Sequence, residues 1–263
     1  MQTVSLLCQL AYAAWRAKLQ HRSAFWMMMV GYGLSTVIEL LSIGVLFARF
    51  HQVRGWKFPE VAMLYAVMGL GFSTAEGLAR GFDTFSIQIR YGGFDRMLLR
   101  PLHTLAQVAV SDVQPMRLGR WIQSLAVLLW SMYTLQISFF SWASLLLLCV
   151  YIGLSCVFCG LLVLQATCSF WVTEALEIFN IATFGGREAA QFPLSIYDRP
   201  LRFLFMFVIP LGCVGYLPVA TILHKESIPY WLGTAAPLLG PLFLLLCCCV
   251  WQVGVRHYRS TGS

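Results

Sequence analysis

The stretch LLLLCVYIGLSCVFCGLLVL, residues 145–164, decides the fold class. It carries no charged residue, and about 20 consecutive apolar residues are enough for a helix to cross roughly 30 Å of hydrocarbon. A second run of this kind, Leu232–Val253, lies near the C-terminus. A soluble core does not need uncharged runs of such length, so the sequence predicts an all-α membrane protein.

The composition supports the same class. Apolar residues make up 59% of the 263-residue chain and charged residues 11%, whereas a soluble domain carries about 25% charged residues. The formal net charge is +7, which we interpret as the basic bias of cytoplasmic loops rather than as a nucleic-acid surface. Most of the nine cysteines fall inside apolar runs, where a free thiol behaves as a small apolar side chain.

The first residues predict an amphipathic helix, over 2–22, lying on the cytoplasmic surface of the membrane lipid. A signal peptide would carry basic residues before its apolar stretch. Here Arg16, Lys18 and Arg22 follow that stretch instead. One imperfect apolar face repeats at helical spacing, which is typical of a helix lying in the interface.

The hydrophobic pattern predicts a single membrane domain over residues 1–263 with six transmembrane helices. The segment over residues 80–120 is the longest polar one and is rich in arginine, so we expect it and both termini to face the cytoplasm. Five of the spans are placed at about Ala24–Phe50, Pro59–Leu78, Trp121–Ile137, Trp142–Cys168 and Trp231–Val253.

The remaining span has two candidate positions. Val172–Phe192 contains four ionisable residues, and each charge would cost roughly 2.5–3.5 kcal/mol at mid-bilayer if it faced lipid. Phe203–Ile222 is more apolar but is broken by Pro210 and Pro218. Hydropathy and loop charge favour the second position. The ionisable residues of the first are Glu174, Glu177, Arg187 and Glu188.

No sequence motif for chemistry is present, so we predict neither catalytic residues nor a metal site. There is no GxxxxGK[ST] loop for nucleotide phosphates, and HExxH and GxSxG are also missing. An ionisable residue within a span is nevertheless a functional hypothesis. Glu39 is our candidate for contact with a proton or a substrate, and Glu76 has the spacing for an i,i+4 ion pair with Arg80. Glu174 and Glu177 are weaker candidates for the same contact with a proton or a substrate.

The stretch GGFDRMLLRP, residues 92–101, follows a basic amphipathic segment, Phe82–Arg90. A cytoplasmic helix with an apolar face and exposed charges is what a membrane domain needs to dock a soluble motor. A helix lying on lipid headgroups would have the same composition, and composition alone leaves both interpretations open.

Together with other pieces in the same order, this stretch resembles the permease subunits of ABC-2 type exporters, in particular a bacterial branch of uncharacterised transport permeases. Each piece alone is weak, and the ordered set is specific. The pieces are Gly55–Tyr65, Gly81–Asp83, Gly93–Pro101, Leu176–Ile178, Gly185–Glu188, Pro193–Tyr197 and Tyr258–Ser263.

The resemblance implies an exporter of the bacterial plasma membrane, powered by two copies of a separate ATP-binding subunit that would hold the ATP and Mg²⁺. No cofactor is then expected in this chain. A second permease, a distinct one or an identical copy, would complete the path. The coupling helix would lie within Phe85–Thr104. The residues expected to contact the ATPase are Phe94, Asp95, Arg96, Leu98, Leu99, Arg100 and Pro101.

The resemblance also bears on the disputed span. In these permeases a re-entrant helical hairpin precedes the last span, and residues 193–230 with their prolines resemble it. This favours Val172–Phe192 as the fifth span, with its ionisable residues at protein interfaces, against the argument from hydropathy.

Two other functions remain open at this point. An ion-coupled secondary carrier or channel would use intramembrane acids such as Glu39, although no internal repeat typical of carriers is visible. A membrane anchor or integral membrane enzyme would need a polar constellation that the sequence lacks. No motif identifies the cargo.

Overall fold

The computed structural model describes residues 2–172, 179–225 and 228–258, and its elements there are helical. Single turns of 3₁₀ helix and stretches of π-helix join several of the α-helices. The α-helices are α1 Gln2–Leu19, α2 Arg22–Phe50, α3 Phe58–Asp83, α4 Phe85–Arg90, α5 Gly93–Leu98, α6 Thr104–Ser111, α7 Leu118–Thr134, α8 Trp142–Cys168, α9 Gly186–Ala190, α10 Arg199–Phe203, α11 Leu217–Ile222, α12 Tyr230–Ala235 and α13 Leu239–His257.

Four helical segments in the described residues are long and apolar enough to cross a membrane. They contain α2, α3, α8 and α13, and a bent pair of helices makes a fifth if it counts as one span. The prediction of a multi-pass all-α membrane protein is therefore confirmed. The count of six stays a prediction, because α7 has only 17 residues and residues 173–178 lie outside the description.

Helix α3 forms the centre of the molecule. Its residues Val61 to Met68 have no exposed surface, and it packs between α7 and α8. Pro59 stands in its first turn, where a missing N–H costs nothing, and the Glu60 carboxylate accepts the Lys57 N–H at 2.7 Å. α2 packs on the outer side of α7 and α13 on the outer side of α8, so the long helices form a row.

Helices α8 and α13 cross at two glycines. A Cβ on Gly240 would overlap with the backbone of Gly153, and the backbone carbonyl oxygen of Pro237 closes the space over Gly153. Without side chains at the crossing, the two backbones approach closely, as small residues allow in membrane helix pairs.

The bent pair consists of the helical segments Arg199–Val208 and Gly212–Ile222, which meet at 85°. Pro210 lies at the break and has no N–H for a continuous helix. The second segment is buried deeply: Val214 faces Gly153 at mid-helix of α8, and the rings of Tyr216 and Trp56 are 5.6 Å apart. A bend of this size describes either a broken span or a re-entrant element.

The competing span, Val172–Phe192, is described only in part. Its residues 179–190 are helical and end in α9. Glu174 and Glu177 lie outside the described residues, so their predicted roles stay predictions. The amphipathic helix expected over 2–22 coincides with α1, and its place on the membrane surface likewise stays a prediction.

The crossing of α8 and α13 gives a testable prediction. Gly240→Ala should lower the stability of the detergent-solubilised protein by about 1–3 kcal/mol, because the new Cβ meets rigid backbone rather than a movable side chain. Gly31→Ala in α2 is the matched control, since its Cβ would have nothing within 4 Å. Thermal unfolding followed by intrinsic fluorescence measures both. Equal transitions for the two variants would contradict the close crossing.

Candidate functional site

The most conspicuous polar group inside the helix row is the carboxylate of Glu76 on α3. It is completely buried and is surrounded by three guanidinium groups. Arg80 lies 3.0 Å away in the same helix, which confirms the predicted i,i+4 pair. Arg117 and Arg120 approach the same carboxylate at 3.1 Å each, from the turn before α7 and from α7 itself. Three guanidinium groups thus balance the charge of one buried acid.

The network continues towards the predicted cytoplasmic end of α3. Arg80 also contacts Asp83 at 2.9 Å, and the Gln165 side chain of α8 donates to the Asp83 carboxylate at 2.7 Å. One chain of charge-assisted contacts thus ties α7 to α3 and α3 to α8, and such contacts are stronger than neutral hydrogen bonds.

A second charged group surrounds Arg187 on α9. Its guanidinium is almost completely buried and contacts the carboxylates of Glu39 on α2 and Glu188 on α9, each at 2.7 Å. The ring of Phe72 on α3 lies close to both charged groups. The guanidinium carbons of Arg120 and Arg187 lie 5.4 and 5.3 Å from the centre of that ring, within the range of cation–π attraction.

The polar residues of α2 share one face of the helix. At about 100° per residue they fall within an arc of about 120°. Glu39 lies about 26 Å from the start of a helix about 44 Å long, well inside the span. The opposite face carries exposed apolar side chains such as Leu34 and Leu41, which suit lipid. The polar face consists of Tyr32, Ser35, Thr36, Glu39 and Ser42.

The polar face of α2 also contacts the first charged group. The guanidinium of Arg117 stacks over the ring of Tyr32 at 4.1 Å. Because charged and polar groups at this depth avoid lipid, the surface between α2 and α9 belongs against water or another protein.

The predicted ATPase contacts lie beyond the C-terminal end of α3, in and just after α5. Arg96, Leu98, Arg100 and Pro101 are exposed, and Leu99 keeps 85% of its surface. Asp95 is half-buried. Phe94 differs from the rest, because it is completely buried. Its side chain therefore holds the segment in place instead of presenting a surface to a partner.

Phe94 belongs to an aromatic cluster drawn from four separate parts of the chain. Its ring centre lies 5.1 Å from that of Phe85 and 5.0 Å from that of Tyr258, and both pairs meet edge to face, the favoured geometry. The members of the cluster are Phe82, Phe85, Phe94, Phe170, Trp251 and Tyr258.

Two hydrogen bonds fasten the same segment. The Tyr258 hydroxyl donates to the Asp95 carboxylate at 3.0 Å, and the Trp251 indole N–H donates to the Thr104 hydroxyl at 3.3 Å. Burial and the neighbouring Asp95 carboxylate raise the pKa of Tyr258 above its ordinary value. The C-terminal end of α13 thus anchors the segment that follows α3.

Sequence reasoning missed the partners of the buried acids. Arg120 stands 44 positions from Glu76, and Arg187 stands 148 positions from Glu39, so helical spacing could not connect them. One signal was present: arginines at the very start of an apolar span, as in Arg117 and Arg120, have no acid of their own helix within reach.

Comparison with known proteins adds one finding. A family model described as ABC-2 family transporter protein matches residues 34–262, which is most of the chain. No curated protein and no solved structure matches.

The arginine cluster predicts that neutralising two different acids lowers the stability of the protein by different amounts. Glu76→Gln should cost about 3–5 kcal/mol of stability, because it leaves buried guanidinium charges without a counter-charge. Glu188→Gln should cost at most about 1 kcal/mol, because that carboxylate is 54% exposed. Thermal unfolding in detergent and the yield of folded protein measure both effects. A Glu76 variant as stable as the Glu188 variant would contradict the role of the cluster.

Proposed function

Because the chain belongs to the ABC-2 family of transporter proteins, we propose that it is the permease subunit of an ATP-driven exporter. Membership of this family supports a role as the multi-pass membrane component of an ABC transporter. Export, the second permease and the coupling to ATP hydrolysis are our proposals. In this proposal ATP and Mg²⁺ are bound by two copies of a separate ATP-binding subunit.

The observation that carries the proposal is the anchored segment after α3. Its inner side is fixed by Phe94 and by the Tyr258–Asp95 hydrogen bond, and its outer side exposes Leu99 between basic residues. Two exposed leucines on a rigid support, Leu98 and the more exposed Leu99, with Arg96 and Arg100 beside them, fit docking into an apolar pocket with an acidic rim. Movement of a docked motor would reach the spans directly, because the segment continues α3.

We propose that the polar surface between α2 and α9 faces a second permease subunit across the translocation path. Glu39, Arg187 and Glu188 are too polar for contact with lipid at their depth. A single row of helices cannot enclose a path by itself, so a second permease, distinct or identical, would close it.

The same proposal sets the orientation. The end that carries α1, α5 and the last turn of α13 is basic, which supports a cytoplasmic location for both termini, and we propose that the membrane is a bacterial inner membrane. The bent pair Arg199–Val208 and Gly212–Ile222 then lies at the outer face as a re-entrant hairpin, and the helix ending in α9 is the fifth of six spans.

The alternative, an ion-coupled carrier that protonates Glu39, has less support. Glu39 forms an ion pair with the Arg187 guanidinium at 2.7 Å, and a proton-carrying acid would have to break this pair in each cycle. Proton-driven transport in vesicles without nucleotide would restore this alternative.

Affinity purification tests the proposed function. The tagged chain, extracted in mild detergent from its own cells, should retain a P-loop ATPase and show ATP hydrolysis that vanadate inhibits. Mass spectrometry of the same sample identifies a second permease if a distinct one is present. Isolation of the chain alone, under conditions that preserve other membrane complexes, would contradict the proposal.

One substitution tests the docking surface. Leu99→Asp should reduce the retained ATPase at least about tenfold, because a charge enters an apolar contact. Phe140→Asp is the matched control, since it puts the same charge on a fully exposed side chain at the opposite end of the helix row. Quantitative mass spectrometry of the purified complexes compares them. Equal retention by the two variants would place the docking surface elsewhere.

A further inference from the structure

Two buried arginines have hydrogen-bonding capacity that the chain does not use. The guanidinium carbons of Arg120 and Arg187 each lie within 5.4 Å of the centre of the Phe72 ring, and each residue is more than nine-tenths buried. The Nε atoms of both are buried and have no hydrogen-bond partner among the described residues. Leaving a buried donor unsatisfied is costly, and more so when the group is charged. The two buried guanidinium groups can therefore bind a ligand that accepts hydrogen bonds.

The charges around the two guanidinium groups are unevenly matched. Arg120 shares the single carboxylate of Glu76 with Arg80 and Arg117. Arg187 has two carboxylates, but both are partly open: the side chain of Glu39 is 31% exposed and that of Glu188 is 54% exposed. Both cations are thus buried, whereas the carboxylates beside Arg187 are partly open to the surface.

We propose that Arg120 and Arg187 bind an anionic group of the exported cargo, a phosphate or a carboxylate, which displaces Glu39 from Arg187. This inference rests on the proposed export function and names its substrate class. Guanidinium groups bind such oxyanions through parallel N–H donors, and a site of low polarity strengthens the contact. Glu39 occupies the site between transport cycles and keeps Arg187 neutralised.

The surroundings indicate the rest of the cargo. The ring of Phe184 lies 5.3 Å from that of Phe72, which lies close to both arginines, and Phe184 and Ile181, three residues earlier in the chain, are exposed. Tyr32 borders the same surface from α2. An oxyanion flanked by aromatic and aliphatic side chains fits an amphiphile with an anionic head and an apolar body.

A structural ion pair and a cargo site make opposite predictions for Glu39. If the Glu39–Arg187 pair only holds α2 to α9, Glu39→Gln weakens the site and any binding at it. If Glu39 competes with the cargo, the same substitution removes a competitor and strengthens binding. The sign of the change therefore separates the two roles.

The experiment uses the complete complex in nanodiscs of phosphatidylcholine, with ³²P-labelled dodecyl phosphate as the probe. We expect saturable binding that unlabelled dodecyl phosphate displaces and dodecyltrimethylammonium does not. Arg187→Gln should weaken binding about tenfold to a hundredfold, the value of a charge-assisted hydrogen bond. Arg49→Gln should change nothing, because that exposed arginine lies in the last turn of α2, away from the site. Glu39→Gln should tighten binding about twofold to fivefold.

Three outcomes would overturn the inference: no saturable binding by the unmodified complex, equal binding by the Arg187 variant, or weaker binding by the Glu39 variant. Arg187→Lys controls for misfolding, because it keeps the positive charge. Its affinity for dodecyl phosphate should lie between those of the unmodified complex and the Arg187→Gln variant. Vanadate-sensitive hydrolysis is measured on the same nanodiscs. If the unmodified complex shows no such hydrolysis, the export function is contradicted. If it hydrolyses ATP but does not bind the anionic probe selectively, only the anion site is overturned.

Discussion

A charge inside a membrane needs an opposite charge or water, and this constraint organises the helix row. The central helix α3 carries Glu76, completely buried, and the carboxylate is stable there only because Arg117 and Arg120 reach it from α7 and its preceding turn. Removing the acid or the two arginines would leave a buried charge without its counter-charge. The contact therefore fixes how α3 and α7 pack, and the surrounding helices are placed on this pair.

The same helix connects the two regions of functional interest. From Glu76 the charged contacts pass through Arg80 to Asp83 at the last residue of α3. The aromatic cluster begins at this point, with Phe82 and Phe85, and it holds the segment that we propose docks the ATPase. A displacement of that segment would move the end of α3 and hence the arginines beside the polar face of α2. The backbone of α3 departs from helical geometry at Ala79, so coupling in this account crosses that kink through the contacts of Arg80 with Glu76 and Asp83.

The sequence was sufficient for features that depend on composition and on neighbours within a helix. The uncharged run at residues 145–164 lies inside α8, and the Glu76–Arg80 pair follows from i,i+4 spacing. Contacts between helices that are distant in the chain could not be predicted from the sequence, because spacing along one helix does not say which face of it packs against which face of another helix. The Glu39–Arg187 pair is of this kind. Phe94 shows the same limit: its burial depends on the rings of Phe170, Trp251 and Tyr258, which converge only in three dimensions. The bent pair remained ambiguous for another reason, since prolines within an apolar run suit a broken span and a re-entrant hairpin equally.

The most direct test of the account asks whether the charged face of α2 meets water. In a cysteine-free version of the chain, expressed with its partners in native membranes, position 39 is changed to cysteine and treated with a charged, membrane-impermeant thiol reagent. Leu41→Cys serves as the control, because it lies at nearly the same depth on the opposite, apolar face of α2. The account predicts that Glu39→Cys is modified and Leu41→Cys is not, since a thiol in lipid does not ionise. Equal resistance of the two positions would contradict it and would make the buried charges a purely structural device.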